Sequence, residues 1–199
     1  VIREVEADYF DDGARHLQIA VAAYPAAADR GREIEVLAAK RAAGADLAIT
    51  QVFYDVEDYL ALARAADRAG VDLPILPGII PLTDLRRLTR LEALSGVRVP
   101  EHLVRTLERS AGARTTAAGI DATLRLAAGV LDGGAPGVHL YTFNRTRPAL
   151  DLVSQLRLGR ILDGRRPDPL TQREVWRSYL NAVPGDDAPT ARMPGAARP

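Results

Sequence analysis

The fold of this chain hinges on Ala48-Ile49-Thr50-Gln51-Val52-Phe53-Tyr54-Asp55. A short apolar run with a β-branched member ends in an amide side chain, then an aromatic pair, then an acid poised to open a helix. Such a run reads as a buried parallel strand, because a strand covered on both faces is apolar throughout rather than alternating. Gln51 then stands at its carboxyl end. Three other stretches share the layout: Ile19 to Tyr24, Leu73 to Pro81 and Val138 to Arg145. Each is a short apolar run, a polar or turn-forming segment, and then a segment of helical period. Successive units of this kind are the repeat of a (β/α) barrel, and four of them make half of one. The expected fold class is α/β of the (β/α)8 TIM-barrel type, with this chain carrying about the last four β/α units.

The segments between the strands read as helices. Val1 to about Asp12 has the apolar spacing of a helix end. Glu33 to Ala43 presents Ile34, Leu37 and Ala38 on one face and stops at Gly44. Asp55 to Ala69 turns Val56, Tyr59, Leu60, Leu62 and Ala63 inward. The segment from Pro77 to Pro81 reads as a rigid ledge, since each proline fixes its own backbone. Thr83 is the expected N-cap of a helix over Asp84 to Leu94. Pro100 is expected at the first position of a short helix reaching Arg109. Further helices are expected over Ala117 to Leu131 and Pro148 to Leu158. The domain reading is therefore a half-barrel over residues 1–164. A tail over 165–199 follows, with an amphipathic turn near Trp176 and then disorder, as its Pro, Gly and Ala content implies.

Composition excludes several classes. Of 199 residues, 47% are apolar and 26% charged, enough for a sizeable core. Lys plus Arg equals Asp plus Glu at 26 each, so no net field argues for nucleic acid or an anionic membrane. Cysteine is absent, which removes disulfides, thiol nucleophiles and cysteine-bound metals. No apolar run nears the roughly 20 residues that span a bilayer, and no signal-peptide pattern opens the chain. The expected location is cytoplasmic. The chain opens with Val1 inside a helix, and it reads as the later part of a longer protein.

Chemistry in such a barrel gathers where the strands end. The candidates are Tyr24, Gln51 with Phe53, the Pro77 to Pro81 ledge, and Tyr141 to Arg145. Arg145 offers paired donors to a carboxylate or phosphate. Lys40 is the only lysine. His16, His102 and His139 are scattered without metal-ligand spacing, and no metal site is expected. No serine sits in a nucleophile-elbow pattern, and no glycine-rich dinucleotide fingerprint occurs.

Five stretches taken in order resemble methylenetetrahydrofolate reductases. They are Val21-Ala22-Ala23-Tyr24-Pro25, Gly44 to Gln51, Pro77-Gly78-Ile79-Ile80-Pro81, Val97-Arg98-Val99-Pro100, and His139-Leu140-Tyr141-Thr142-Phe143-Asn144-Arg145. The resemblance covers the second half of that family's catalytic barrel. It implies a flavoprotein in which FAD takes a hydride from NADH or NADPH. The hydride then passes to 5,10-methylenetetrahydrofolate, giving 5-methyltetrahydrofolate. On this resemblance Gln51 binds the pterin or the nicotinamide amide, Leu91 walls the substrate, and Arg145 lies on the folate side. Tyr24, Glu33 and Lys40 match flavin-binding positions.

The departures are specific. Ala26-Ala27-Ala28-Asp29 replaces a Gly-His-Pro-Glu-like segment in a shorter loop, and Val36 and Ala39 replace polar cofactor contacts. The family's proton-donating glutamate and its Arg-Gly-Asp segment belong to the first half of the barrel. No catalytic acid is therefore expected within this segment. The expected partners are a folate substrate and the missing first half of the barrel, with a homo-oligomer as a further option for pairing open strand edges. A non-catalytic barrel that binds folate or nucleotide stays open as the alternative.

Overall fold

Each apolar run forms a strand, and every strand pair is parallel. The computed structural model describes residues 1–110, 113–144 and 146–158, all within one compact unit, Val1–Arg165. The expected tail over 165–199 and Arg145 lie outside the described residues.

Strand β1 (Ala20–Ala23) follows helix α1 (Ile2–Tyr9) and pairs with β2 (Leu47–Thr50), in register from Ala20 opposite Leu47 to Ala23 opposite Thr50. Strand β2 in turn pairs with β3 (Ile75–Leu76). Strand β4 (Gly78–Ile79) then pairs with β5 (His139–Leu140). The expected ledge after Pro77 is thus corrected in part, because Gly78 and Ile79 are strand. Pro77 has no N–H to give a ladder, and the chain changes partner across it.

Thr50 joins the two small sheets. Its hydroxyl accepts from the Gly78 N–H at 2.8 Å, and its carbonyl accepts from the Tyr141 hydroxyl at 2.9 Å. A side chain on Gly78 would run into that Thr50 carbonyl. Only glycine permits this approach.

Helix α2 (Arg30–Ala42) starts earlier than Glu33 because Asp29 caps it, accepting from the Arg32 N–H at 2.9 Å. Helix α3 (Val56–Arg68) is capped by Asp55. Helix α4 (Leu85–Ser95) is capped by Asp84 rather than Thr83, the carboxylate accepting from the Arg87 N–H. It ends at Gly96 in the left-handed conformation, as the sequence implies. Pro100 is the N-cap of α5 (Glu101–Arg109), one residue outside the expected first position. Helices α6 (Ala113–Asp132) and α7 (Thr146–Leu158) both begin ahead of their expected starts.

Two cores result. The larger gathers Leu37, Ala48, Phe53, Leu62, Ile75, Ile79, Val130 and Leu152 between the strands and helices α2, α3, α6 and α7. Phe53 is only 1% exposed and stacks on Tyr59. The expectation that it flanks Gln51 at the site is therefore corrected. Once the chain leaves β2 it dives toward α3, and the apolar ring follows it inward. The smaller core lies past the strand ends, with Val52, Ile80, Leu82, Leu88, Val99 and Leu103. It fastens α4 and α5 there. Among the described residues no helix is long and apolar enough to cross a membrane.

Candidate functional site

Parallel register sets the first two site residues side by side. Ala23 lies opposite Thr50, so the next residues, Tyr24 and Gln51, emerge together at the strand ends. The Gln51 N–H donates to the Ala23 carbonyl at 2.7 Å, which holds the two ends together. The Gln51 side-chain amide has no hydrogen bond to any described residue. Its donors and acceptor are thus unused among the described residues.

Helix α2 brings in the next two. Glu33 and Lys40 lie two turns apart, on the face toward β1. Glu33 is buried, and one carboxylate oxygen accepts from the Tyr24 N–H at 2.9 Å. The Lys40 ammonium donates to the Ala22 carbonyl at 2.6 Å and sits 5.6 Å from the centre of the Tyr24 ring. That is within cation–π range. The three expected flavin residues are thus one cluster about the end of β1.

Two cavities meet at Gln51. The first, about 370 Å³, is lined by Tyr24, Asp29, Arg32, Glu33, Val36 and Gln51 among others. The second, about 240 Å³, is lined by Gln51, Val52, Leu91, Leu94, Tyr141 and Phe143. Leu91, the expected substrate wall, therefore lines a cavity that shares Gln51 with the Tyr24 cavity. A third cavity of about 440 Å³ shares Leu91, Leu94 and Phe143 and adds Ile80, Arg87 and Arg90.

Tyr141 is a strut of this floor rather than a free acid. Burial, and after it the neighbouring Tyr24, push its hydroxyl pKa above the ordinary value. Its proton is committed to the Thr50 carbonyl. His139 is half-buried with its ring edge against Tyr141, and desolvation lowers its pKa. Phe143 and Asn144 take left-handed backbone angles, φ 49° and 60°, where non-glycine residues are strained. That turn lifts Phe143 into the second and third cavities.

Of the expected site residues, Tyr24, Glu33, Lys40, Gln51 and Leu91 come together, whereas Phe53 does not. Sequence reasoning passed over Arg32, Arg87 and Arg90. The available signal was the spacing Arg87, Arg90, Leu91, Leu94, which places them along one side of α4.

Known proteins agree in family and in fold. The family model described as methylenetetrahydrofolate reductase matches residues 1–157. A 5,10-methylenetetrahydrofolate reductase of Escherichia coli is 32% identical over 134 residues, spanning 64% of this chain and 45% of its own length. A probable methylenetetrahydrofolate reductase (NADPH) of Caenorhabditis elegans is 30% identical over 175 residues, spanning 86% of this chain. This chain spans only 26% of that relative's length. A solved protein from Clostridium thermocellum, described as binding two copies of 5-methyl-5,6,7,8-tetrahydrofolic acid, superposes with a TM-score of 0.52 at 18% identity. The match covers 73% of this chain and 54% of that one, and it speaks to the fold alone. With 157 of its 199 residues matched, and the ordered strand-end residues gathered about Gln51, the chain belongs to the methylenetetrahydrofolate reductase family of (β/α)-barrel proteins.

Proposed function

We propose that this chain is the carboxyl-terminal half of a methylenetetrahydrofolate reductase barrel, over residues 1–164, followed by a tail over 165–199. In the complete barrel it takes part in reducing 5,10-methylenetetrahydrofolate to 5-methyltetrahydrofolate with NADH or NADPH. The observation that carries this reading is the position of Gln51 between two cavities. One holds the Tyr24 cluster and the other holds Leu91 and Phe143.

The residues about the first cavity suit a flavin dinucleotide. Tyr24 supplies an aromatic surface. Glu33 keeps one carboxylate oxygen beyond the one bound to the Tyr24 N–H. Lys40 and Arg32 supply cations for a pyrophosphate. The chemistry that bound FAD supplies is acceptance of a hydride from the nicotinamide and its return to the folate. The chain's own residues bind and orient. Gln51 pairs with whichever heterocycle occupies the second cavity, because an amide donates and accepts at once. Leu91 and Phe143 give that heterocycle apolar walls and exclude water. Arg145 meets the anionic end of the folate. A proton donor is supplied by the first half of the barrel, which is also the partner that covers the open strand edges. The location consistent with this chemistry is cytoplasmic.

The test uses the complete reading frame that carries this chain. Purified protein is expected to contain FAD and to oxidise NADH or NADPH in the presence of 5,10-methylenetetrahydrofolate. Absence of both bound flavin and folate-dependent oxidation would overturn the assignment. Folate binding without flavin would favour a non-catalytic binding barrel, a reading motivated by the short Ala26 to Asp29 loop.

A further inference from the structure

The turn that carries Tyr24 is held by side chains of α2 rather than by its own loop. Ala26, Ala27 and Ala28 have no polar side-chain atoms with which to hold it. The Ala27 N–H donates to the Tyr24 carbonyl at 3.1 Å, and the Tyr24 N–H donates to Glu33 at 2.9 Å. That leaves the Pro25 carbonyl, since proline has no N–H. It accepts from the guanidinium of Arg30, the first residue of α2. Arg30 and Glu33 stand three positions apart, on one side of the helix. Together they grip the turn at both of its ends. Pro25 is fully buried, whereas Tyr24 is 40% exposed. The direction of the Tyr24 ring is therefore set more by its backbone than by packing.

Arg30 is unfavourable where it stands. A cation in the first turn of a helix meets the positive end of the helix dipole. Its Nη1 is buried without a hydrogen-bond partner among the described residues. Such atoms are rare in folded proteins and call for a reason. Asp58 on α3 feels the Arg30 charge: burial, and after it Asp55, raise that carboxyl's pKa, and Arg30 acts the other way. The lining of the first cavity includes Tyr24, Ala26, Ala27 and Glu33 but not Arg30. The guanidinium thus acts on that cavity through the turn.

We infer that Arg30 is a positioning residue, which fixes the direction of the Tyr24 ring by holding the Pro25 carbonyl. It stands in for the polar side chains that a loop of three alanines lacks. The inference rests on the reading of the first cavity as a flavin site, where Tyr24 is the aromatic surface. An arginine suits the task because a charge-assisted hydrogen bond is about twice as strong as a neutral one. The arrangement destabilises the fold locally and serves the ligand, a balance common at binding sites.

The experiment uses the full-length protein stripped of flavin, with FAD affinity read from quenching of flavin fluorescence and stability from urea midpoints. Arg30→Met keeps the apolar stem and removes the donors. It is expected to weaken FAD binding about tenfold, the contribution of one charge-assisted hydrogen bond. Its urea midpoint should stay level or rise, because the unpaired Nη1 leaves with the charge. Arg30→Lys should recover most of the affinity. The decisive arm is Tyr24→Ala: once the ring is gone, adding Arg30→Met should weaken binding no further. Full additivity of the two substitutions, or an undiminished affinity in Arg30→Met, overturns the positioning role. So does a midpoint that falls in step with the affinity, which is what a merely structural arginine would give. If wild type binds no FAD, the flavin reading falls and this role falls with it.

Discussion

Gln51 is held by its backbone and left free at its side chain, a combination that fixes where the amide stands without spending its hydrogen bonds. Gln51→Glu keeps the shape and removes the donor, while adding a charge beside the apolar walls of Leu91 and Phe143. Both half-reactions should slow, by on the order of tenfold to a hundredfold if one charge-dependent hydrogen bond is lost in each. Stopped-flow traces of flavin reduction by NAD(P)H and reoxidation by folate measure this. Unchanged traces for both would show that the amide faces neither substrate. Arg145→Ala should raise the folate Kd more than the NAD(P)H Kd, and equal losses in the two titrations would contradict a folate-side role. Tyr24 and Gln51 were legible as strand-end residues, whereas Glu33, Lys40 and Leu91 were named as site residues only through the family resemblance. The place of Phe53 was not legible, since its inward turn depends on where α3 packs. Arg87 and Arg90 were hidden for another reason: charges on an amphipathic helix read as a solvated face. The structure also gives Lys40 a second task, for its ammonium takes the Ala22 carbonyl on an otherwise open strand edge.

The elements at the strand ends are joined through single hydroxyls. Thr123 on α6 is fully buried; its oxygen accepts from the Leu82 N–H at 3.0 Å and donates to the Gly119 carbonyl at 2.6 Å. Gly119 lies so close to the Leu82 carbonyl that a methyl group would collide with it. Thr123→Val keeps the volume but leaves the Leu82 N–H buried without a partner, a loss of about 1–3 kcal/mol. Urea unfolding of the two proteins checks this, and equal midpoints would mean that Leu82 finds another acceptor. Element order and type were legible except at Gly78 and Ile79, where a strand stands in place of the expected ledge, because the apolar runs and helical periods are otherwise strong. Boundaries were less so. Thr83 and Asp84 are both good caps, and only tertiary placement chose the second. The break at Pro77 was visible as a proline. The change of strand partner across it was not, since no local pattern says which strand lies on the far side. The barrel type was readable from the repeat of units and from the family resemblance.

Across the whole described molecule, the amino end of the strands is tied by charge and the flanks are left open. Glu6 accepts from the His16 and Leu17 N–H groups at 2.6 and 2.5 Å and pairs with Arg3, which also bonds Asp46 and the Gly44 carbonyl. The Leu17 N–H first, then Arg3, hold the Glu6 carboxyl down at about 2, against an ordinary 4.5. A depressed folded-state pKa contributes stability that is present above the ordinary value and lost as pH falls toward the folded one. The stability gap between wild type and Glu6→Gln should therefore narrow as pH drops from about 4.5 to about 2, and a constant gap in urea melts would refute the tie. The flanks behave otherwise. Among the described residues β1 pairs only with β2, and β5 only with β4. At the amino end of the strands, helix α1 exposes Ile2, Val5 and Tyr9, spaced three and four residues apart along one face. An open parallel edge and an apolar helix face both invite pairing with another chain. The 199-residue chain alone should then scatter light as a species heavier than its 21.4 kDa, increasingly so with concentration. Ile2→Lys with Val5→Glu should return it toward a monomer. On the half-barrel proposal the same face packs against preceding units in the complete reading frame, so the double substitution should lower stability there instead of improving dispersion. A dispersed wild-type monomer at all concentrations would show that Lys40 and Glu33, which already occupy the Ala22 carbonyl and the Tyr24 N–H, seal that edge unaided.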